Sequence, residues 1–179
     1  MQHIDRWHPV ISKGRTAPGM FGLVAERYRS VYGDPRGAMT AVAVKNHRFG
    51  SLNPRAHFRR EVTPSQVEGA PRLSGPIGLL DACPTTDGAA AVVLTRASNA
   101  QGRRGARVDG IAMSNDMPYF TAQYSTRFDF LGFESTRNAA RAAYEQAGIT
   151  SPFDQIDVAE MHDCFTITVL LQLEDLGFC

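Results

Sequence analysis

The sequence predicts an α/β protein, and two observations carry that prediction. The run Ala89-Ala90-Ala91-Val92-Val93-Leu94 is short, apolar and unbroken, the pattern of a strand buried on both faces. Beyond it, apolar residues fall at alternating or three- and four-residue spacings that give the order strand, strand, helix, strand, helix, a layered α/β pattern.

Length and composition bound the rest. The chain has 179 residues, 43% of them hydrophobic, and a formal net charge of +1. That is one medium domain or parts of two, with enough apolar content to build a core. So small a net charge argues against a dedicated nucleic-acid binder. No apolar run approaches the roughly 18 residues of a membrane span, and Met1-Gln2-His3-Ile4-Asp5-Arg6 lacks the apolar centre of a signal peptide. Cys83, Cys164 and Cys179 are far apart, odd in number and form no Cys-x-x-Cys pair. This fits a reducing, cytoplasmic setting and offers no zinc framework. The five histidines are scattered without metal-ligand spacing.

Taken in order, Met20, Leu23, Val24, Tyr28 and Val31 predict a helix that Gly33 stops. Asp34-Pro35 reads as an N-cap with proline in the first helical position. The helix that follows carries Met39, Val42 and Ala43 on one face and runs to about His47. Residues 48–75 lack periodicity and contain several prolines, predicting a long irregular excursion of the kind that is usually functional. Residues 89–94 are the buried strand, 97–102 a short helix or turn, and 107–113 a second strand. Ser135 is a plausible N-cap for a helix with the stripe Ala139, Ala140, Ala143, Tyr144 and Ala147, closed by Gly148. Residues 156–161 form a third strand, and 165–176 a last helix, apolar on most sides and therefore internal. A terminal strand–helix unit of this kind normally needs further strands to complete its sheet.

The chemistry concentrates at Met161-His162-Asp163-Cys164-Phe165. His162 falls where a strand gives way to a helix, the place where open α/β sheets bind ligands. A helix N-terminus there presents amide donors. Asp163 can cap that helix and leave the imidazole of His162 to hold a water or a carbonyl oxygen. The alternative is a structural histidine packed at a strand end. Cys164 invites a Cys/His nucleophile reading against that of a buried core thiol, and Cys83 faces the same choice. Lys45, His47, Arg48, Arg55, His57, Arg59 and Arg60 form a basic stretch that would attract a phosphate, or simply a solvated face. The glycines form no phosphate-loop or dinucleotide fingerprint.

Four stretches together resemble the thiolase superfamily, in its sterol-carrier-protein-type branch of acetyl-CoA acetyltransferases and lipid-transfer proteins. They are Ala43-Val44-Lys45-Asn46-His47 with Leu52-Asn53-Pro54-Arg55-Ala56; Leu80-Asp81-Ala82-Cys83-Pro84 with Asp87-Gly88-Ala89-Ala90-Ala91; Ala143-Tyr144-Glu145-Gln146-Ala147-Gly148; and Glu160-Met161-His162-Asp163-Cys164-Phe165 with Leu173-Glu174-Asp175-Leu176-Gly177-Phe178-Cys179. The likeness covers nearly the whole chain from about Gly19.

The resemblance implies a cytoplasmic or peroxisomal acyltransferase that makes or breaks a carbon–carbon bond, by Claisen condensation or thiolytic cleavage of a 3-ketoacyl-CoA. Its substrate is a coenzyme A thioester, with no other cofactor and no metal. It implies part of a five-layered αβαβα fold: residues 1–84 as the loop domain that holds coenzyme A, 85–103 as the closing strand and helix of the N-terminal half, and 104–179 as the start of the C-terminal half. His162 becomes an oxyanion-hole residue, because a developing enolate charge needs a fixed donor in a dry site. Cys164 is then not the nucleophile, Cys83 falls near the pantetheine tunnel, and Asp163 and Phe165 flank the substrate. The family's nucleophilic cysteine maps before Met1, and its Gly-His-Pro histidine and Cys-x-Gly cysteine map beyond Cys179. These 179 residues alone are therefore expected to give no turnover. The whole protein is expected to be a homodimer, with an OB-fold protein as a candidate partner. Two other readings stand. One is a retro-aldolase acting on steroid side-chain CoA esters, whose members tend to carry tyrosine in the place of His162. The other is a non-catalytic thiolase-like subunit.

Overall fold

The computed structural model describes residues 16–99, 105–115 and 129–179. The first helix, α1 (Ala17–Tyr32), starts where Thr16 accepts a hydrogen bond from the Gly19 amide at 3.1 Å and stops at Gly33. The second, α2 (Arg36–Leu52), follows at once, and Asp34 Oδ1 accepts from the Arg36 amide at 3.0 Å. The predicted cap is thus present one residue early, with Pro35 before the helix rather than inside it.

Helix α2 runs on to Leu52, past the expected stop at His47, and the expected irregular excursion is partly regular. It contains α3 (Pro64–Glu68), opened by a reciprocal capping box between Thr63 and Gln66, and a small hairpin. The hairpin pairs β1 (Arg72–Ser74) antiparallel to β2 (Ile77–Gly78) and leads into a 3₁₀ turn at Leu79–Asp81. Helix α4 (Glu134–Ala147) ends at Gly148, whose φ of 70° is left-handed and suits glycine. Ser135 lies inside its first turn, and Phe133 occupies the cap position. A short α5 (Pro152–Gln155) and the final α6 (Thr166–Asp175) complete the order.

The core forms where α1, α2, β2 and α6 meet. Val24, Ala25, Met39, Ile77, Ile167 and Leu171 are all fully buried, and Phe165 stacks on Phe21 with ring centroids 4.5 Å apart. Each such large side chain contributes about 1.5–3 kcal/mol by leaving water. Helix α6 is internal, as its composition predicts. Its C-terminal end is tied to α4, because the Asp175 carboxylate accepts from the Phe133 amide (2.7 Å) and from Arg137 Nε (2.6 Å).

The three predicted sheet strands are not formed. Residues 89–94, 107–113 and 157–161 carry no ladder, and the paired strands of the described residues are those of the hairpin. Val93 is 96% exposed, Ile111 75% and Val158 78%. A strand exists only through its neighbours' hydrogen bonds, and the described chain supplies none. Residues 107–113 instead lie along α4. The Gln146 carboxamide bonds both the N–H and the C=O of Ile111, and a Cβ at Gly110 would overlap the Ala143 carbonyl oxygen. Residues 97–99 form a 3₁₀ turn, while 100–102 lie outside the described residues.

Candidate functional site

The extended segment 161–165 runs across the top of α6 and beside α2. One antiparallel bridge, Ala82 to Phe165, docks it against residues 82–83, with the Cys83 amide donating to the Cys164 carbonyl at 3.1 Å. Beneath that bridge lies a buried anchor. Asp81 is 2% exposed. Its carboxylate accepts from Arg36 Nη1 and Nη2 (2.7 Å each), from the Gly78 amide (2.7 Å) and from the Thr166 hydroxyl (2.9 Å). A single acidic side chain therefore joins α2, the hairpin and the first residue of α6. The carboxylate and its hydrogen bonds hold Arg36 even more firmly charged than usual, against the opposing effect of burial.

His162 sits on this platform with its side chain exposed. Its peptide is clamped by Gln172 of α6: the His162 amide donates to Oε1 at 3.2 Å and its carbonyl accepts from Nε2 at 2.8 Å. Asp163 does not cap α6. That helix begins at Thr166, three residues on, with Phe165 in the cap position. Asp163 reaches instead to α2, where Asn46 Nδ2 donates to its Oδ2. Burial pushes the Asp163 carboxyl above the usual carboxylate range, opposed by the Asn46 hydrogen bond and by the charges of Lys45 and His162. The backbone that carries the histidine is thus held on both sides, by Gln172 through the His162 peptide and by Asn46 through Asp163.

The remaining candidates separate clearly. Cys164 is half-buried, and burial pushes its thiol up, which disfavours the nucleophilic thiolate. Its Sγ lies 3.4 Å from the Thr168 hydroxyl. Cys83 is exposed. Phe165 is 5% exposed and belongs to the core stack with Phe21. In the basic stretch, Phe58 lies between His47 (6.2 Å, stacked) and His57 (4.7 Å, edge-on), and the Thr86 hydroxyl meets His57 Nδ1 at 2.9 Å. Next to it a cleft of about 300 Å³ is lined by Arg60, Glu61, Val62, Gln66, Leu79 and Leu80. Among the described residues, no three His, Cys, Asp or Glu side chains gather as a metal site would require. Nor is any helix among them long and apolar enough to cross a membrane.

Sequence reasoning singled out His162, Asp163 and Cys83 as candidates, and did not single out Gln172, Asn46 or Asp81, which the structure brings against the same segment. Gln172 is the one polar residue in Val169-Leu170-Leu171-Gln172-Leu173. A lone carboxamide in an apolar helix, which needs a partner if buried, was the available signal.

This arrangement of helices and hairpin is similar to that of thiolase-like proteins. Residues 119–179 match the family described as thiolase C-terminal domain-like. The chain is 39% identical over 166 residues to the acetyl-CoA acetyltransferase of Methanothermobacter thermautotrophicus, a match covering 93% of this chain and 42% of that protein. It is 34% identical over 176 residues to human sterol carrier protein 2, covering 96% of this chain and 30% of the relative. In structure it resembles a chain of the Ltp2-ChsH2(DUF35) aldolase with a TM-score of 0.80 and 26% identity, covering 94% of this chain and 45% of that one. The chain has a partial thiolase-like fold and is similar to these proteins over less than half the length of each.

Proposed function

We propose that these residues form the oxyanion-side wall of an acyl-CoA C-acyltransferase site, in which the His162 imidazole donates a hydrogen bond to the thioester carbonyl oxygen. The observation that carries this is the double restraint on an exposed histidine. Gln172 holds its peptide at 3.2 and 2.8 Å, and Asn46 holds the adjoining carboxylate. A donor carried on backbone already held in place needs less reorganisation when negative charge develops on the oxygen. In the thiolytic direction, attack on a 3-ketoacyl thioester releases an enolate, whose oxygen takes up the charge that the imidazole N–H stabilises. Cys164 takes no covalent part, because burial disfavours its thiolate. Cys83, Asp163 and the basic stretch between Lys45 and Arg60 are the proposed contacts for coenzyme A.

The test is a graft. The segment of the Methanothermobacter acetyltransferase that matches this chain is replaced by the present sequence, and cleavage of acetoacetyl-CoA by free CoA is followed. His162→Ala in the graft should lower kcat by about 10²–10³-fold, the usual effect of removing one oxyanion donor. His162→Asn should retain part of it. An unchanged kcat would remove His162 from the site, and turnover by the isolated 179 residues would overturn the expectation that they are inactive alone.

The structural likeness to the Ltp2-ChsH2(DUF35) aldolase favours a second reading, retro-aldol cleavage of a CoA ester. It uses the same wall, since that step also leaves an enolate. The two readings part in the graft: aldol cleavage needs no acyl-accepting cysteine, so it would survive replacement of the host's nucleophile.

A further inference from the structure

We infer that Cys83 and Cys164 form a reversible disulfide under oxidation, making this pair a modification site beside His162. The two residues stand opposite each other in an antiparallel pair, one step from the Ala82–Phe165 bridge and joined by the Cys83 amide to Cys164 carbonyl bond. Residues opposite one another in such a pair project to the same face, with Cα atoms about 5.5 Å apart. That separation lies inside the range a disulfide spans. Cys83 is exposed and meets the oxidant, while Cys164 is half-buried behind it. Cys83 is also among the groups that hold the Cys164 thiol up, after burial itself.

The step balances with a peroxide as oxidant. The Cys83 thiolate attacks the O–O bond of hydrogen peroxide, gives a sulfenic acid and, with one proton, releases water. The Cys164 sulfur then attacks the sulfenic sulfur as its thiol proton leaves; the S–S bond forms, the S–O bond breaks, and the departing hydroxide takes up that proton to leave as a second water. In total two thiols are oxidised by two electrons and one peroxide is reduced to two waters. The Thr168 hydroxyl, 3.4 Å from Cys164 Sγ, is placed to hydrogen-bond the attacking sulfur as its proton leaves. Exposed bridges are among those that small thiols readily reopen, and Cys83 is exposed. When closed, it staples residues 162–164 to 82–83 next to the histidine. This inference does not depend on the acyl-CoA reading.

The test uses the full chain with Cys179→Ser, which leaves Cys83 and Cys164 as its cysteines. Dilute hydrogen peroxide should give a monomer lighter by two hydrogens, with a tryptic cross-link between residues 73–96 and 142–179. Dithiothreitol should restore the original mass, and amide exchange at 162–164 should be at least tenfold slower in the oxidised form. Adding Cys164→Ala should leave Cys83 as a sulfenic or sulfinic acid with no cross-link. Fragmentation of the cross-linked peptide from the unmutated chain, which separates Cys164 from Cys179 within residues 142–179, provides the same reading if either variant fails to fold. Disulfide-linked dimers, a sulfinic Cys83 beside a still alkylatable Cys164, or a bridge to Cys179 in the unmutated chain would each overturn the assignment, as would no reaction.

Discussion

Replacing Asp81 with alanine should cost more stability than any other single change near the site. The carboxylate is fully buried, the Arg36 side chain is 16% exposed, and two of the four hydrogen bonds come from that guanidinium. Removing one partner of a buried ion pair costs about 3–5 kcal/mol, because the other charge is left uncompensated. Arg36 keeps its bonds to Thr40 Oγ1 (3.1 Å) and the Pro76 carbonyl (3.0 Å), which places its share near about 3 kcal/mol at the low end of that range. The Gly78 amide, left without its acceptor, adds about 1 kcal/mol. The sum of about 4 kcal/mol is a large fraction of a domain stability of roughly 5–15 kcal/mol. With a urea m-value of about 2 kcal/mol/M, the midpoint should fall by about 2 M with the slope unchanged. Circular dichroism in a urea series measures it. Asp81→Asn, which keeps the volume and one acceptor, should lose about half as much. Arg36→Met combined with Asp81→Ala should recover at least about 1 kcal/mol relative to the sum of the single changes. A loss below about 1 kcal/mol for Asp81→Ala would refute the claim that this carboxylate ties the three elements together.

Three further outcomes follow from the same contacts. The Tyr28 hydroxyl donates to Glu174 Oε1 at 2.6 Å, and burial together with this bond pushes its pKa from 10.0 up to about 12. Its stabilisation is therefore complete below about pH 10 and lost as pH rises through about 12. Because the pair is partly exposed, the loss should be about 1 kcal/mol rather than the full value of two pKa units. The tyrosinate absorbance difference between the parent and Tyr28→Phe reports it, and ionisation near the ordinary value would contradict it. Gln172→Leu should speed amide exchange at His162 about tenfold while costing about 1 kcal/mol of stability, the net worth of a typical hydrogen bond; unchanged exchange would mean that the clamp does not hold in solution. Asn46→Ala removes a hydrogen bond that favours the Asp163 carboxylate, so its carboxyl, already raised by burial, should rise further. A raised carboxyl contributes stability that is complete below the unfolded value of 3.8 and lost as pH rises through the folded pKa. The variant should thus lose stability more steeply between acid and neutral pH, and carbon-detected NMR titration of Asp163 would show the shift.

The helices were legible because each carries its own evidence. The apolar spacing of α1 and the stops at Gly33 and Gly148 are local facts, and a helix closes its hydrogen bonds within itself. The strands were not, because a strand closes its hydrogen bonds elsewhere. The run Val92-Val93-Leu94 announces where it should end up, not what lies beside it, and the described chain leaves it exposed. The site divides in the same way. His162 stood out by its place at the start of the last helix. Its restraints come from Asn46, 117 residues from Asp163, and from the carboxamide of Gln172, ten residues on. Pairings at such separations leave no periodic trace. The family resemblance supplied what spacing alone did not, the oxyanion role proposed for His162.

The exposed run at residues 89–94 has a consequence for how the protein behaves in bulk. Val92, Val93 and Leu94 are 83%, 96% and 79% exposed, and no charge interrupts the segment between Asp87 and Arg96. An extended apolar stretch of high β-propensity is a template for pairing with its copy on another molecule. For these residues in isolation, the limit on working concentration will be set by self-association rather than by melting. Asp87 and Arg96 stand as the gatekeepers that delay it, and a single lysine in place of Val93 should raise the solubility ceiling while leaving the helical core untouched.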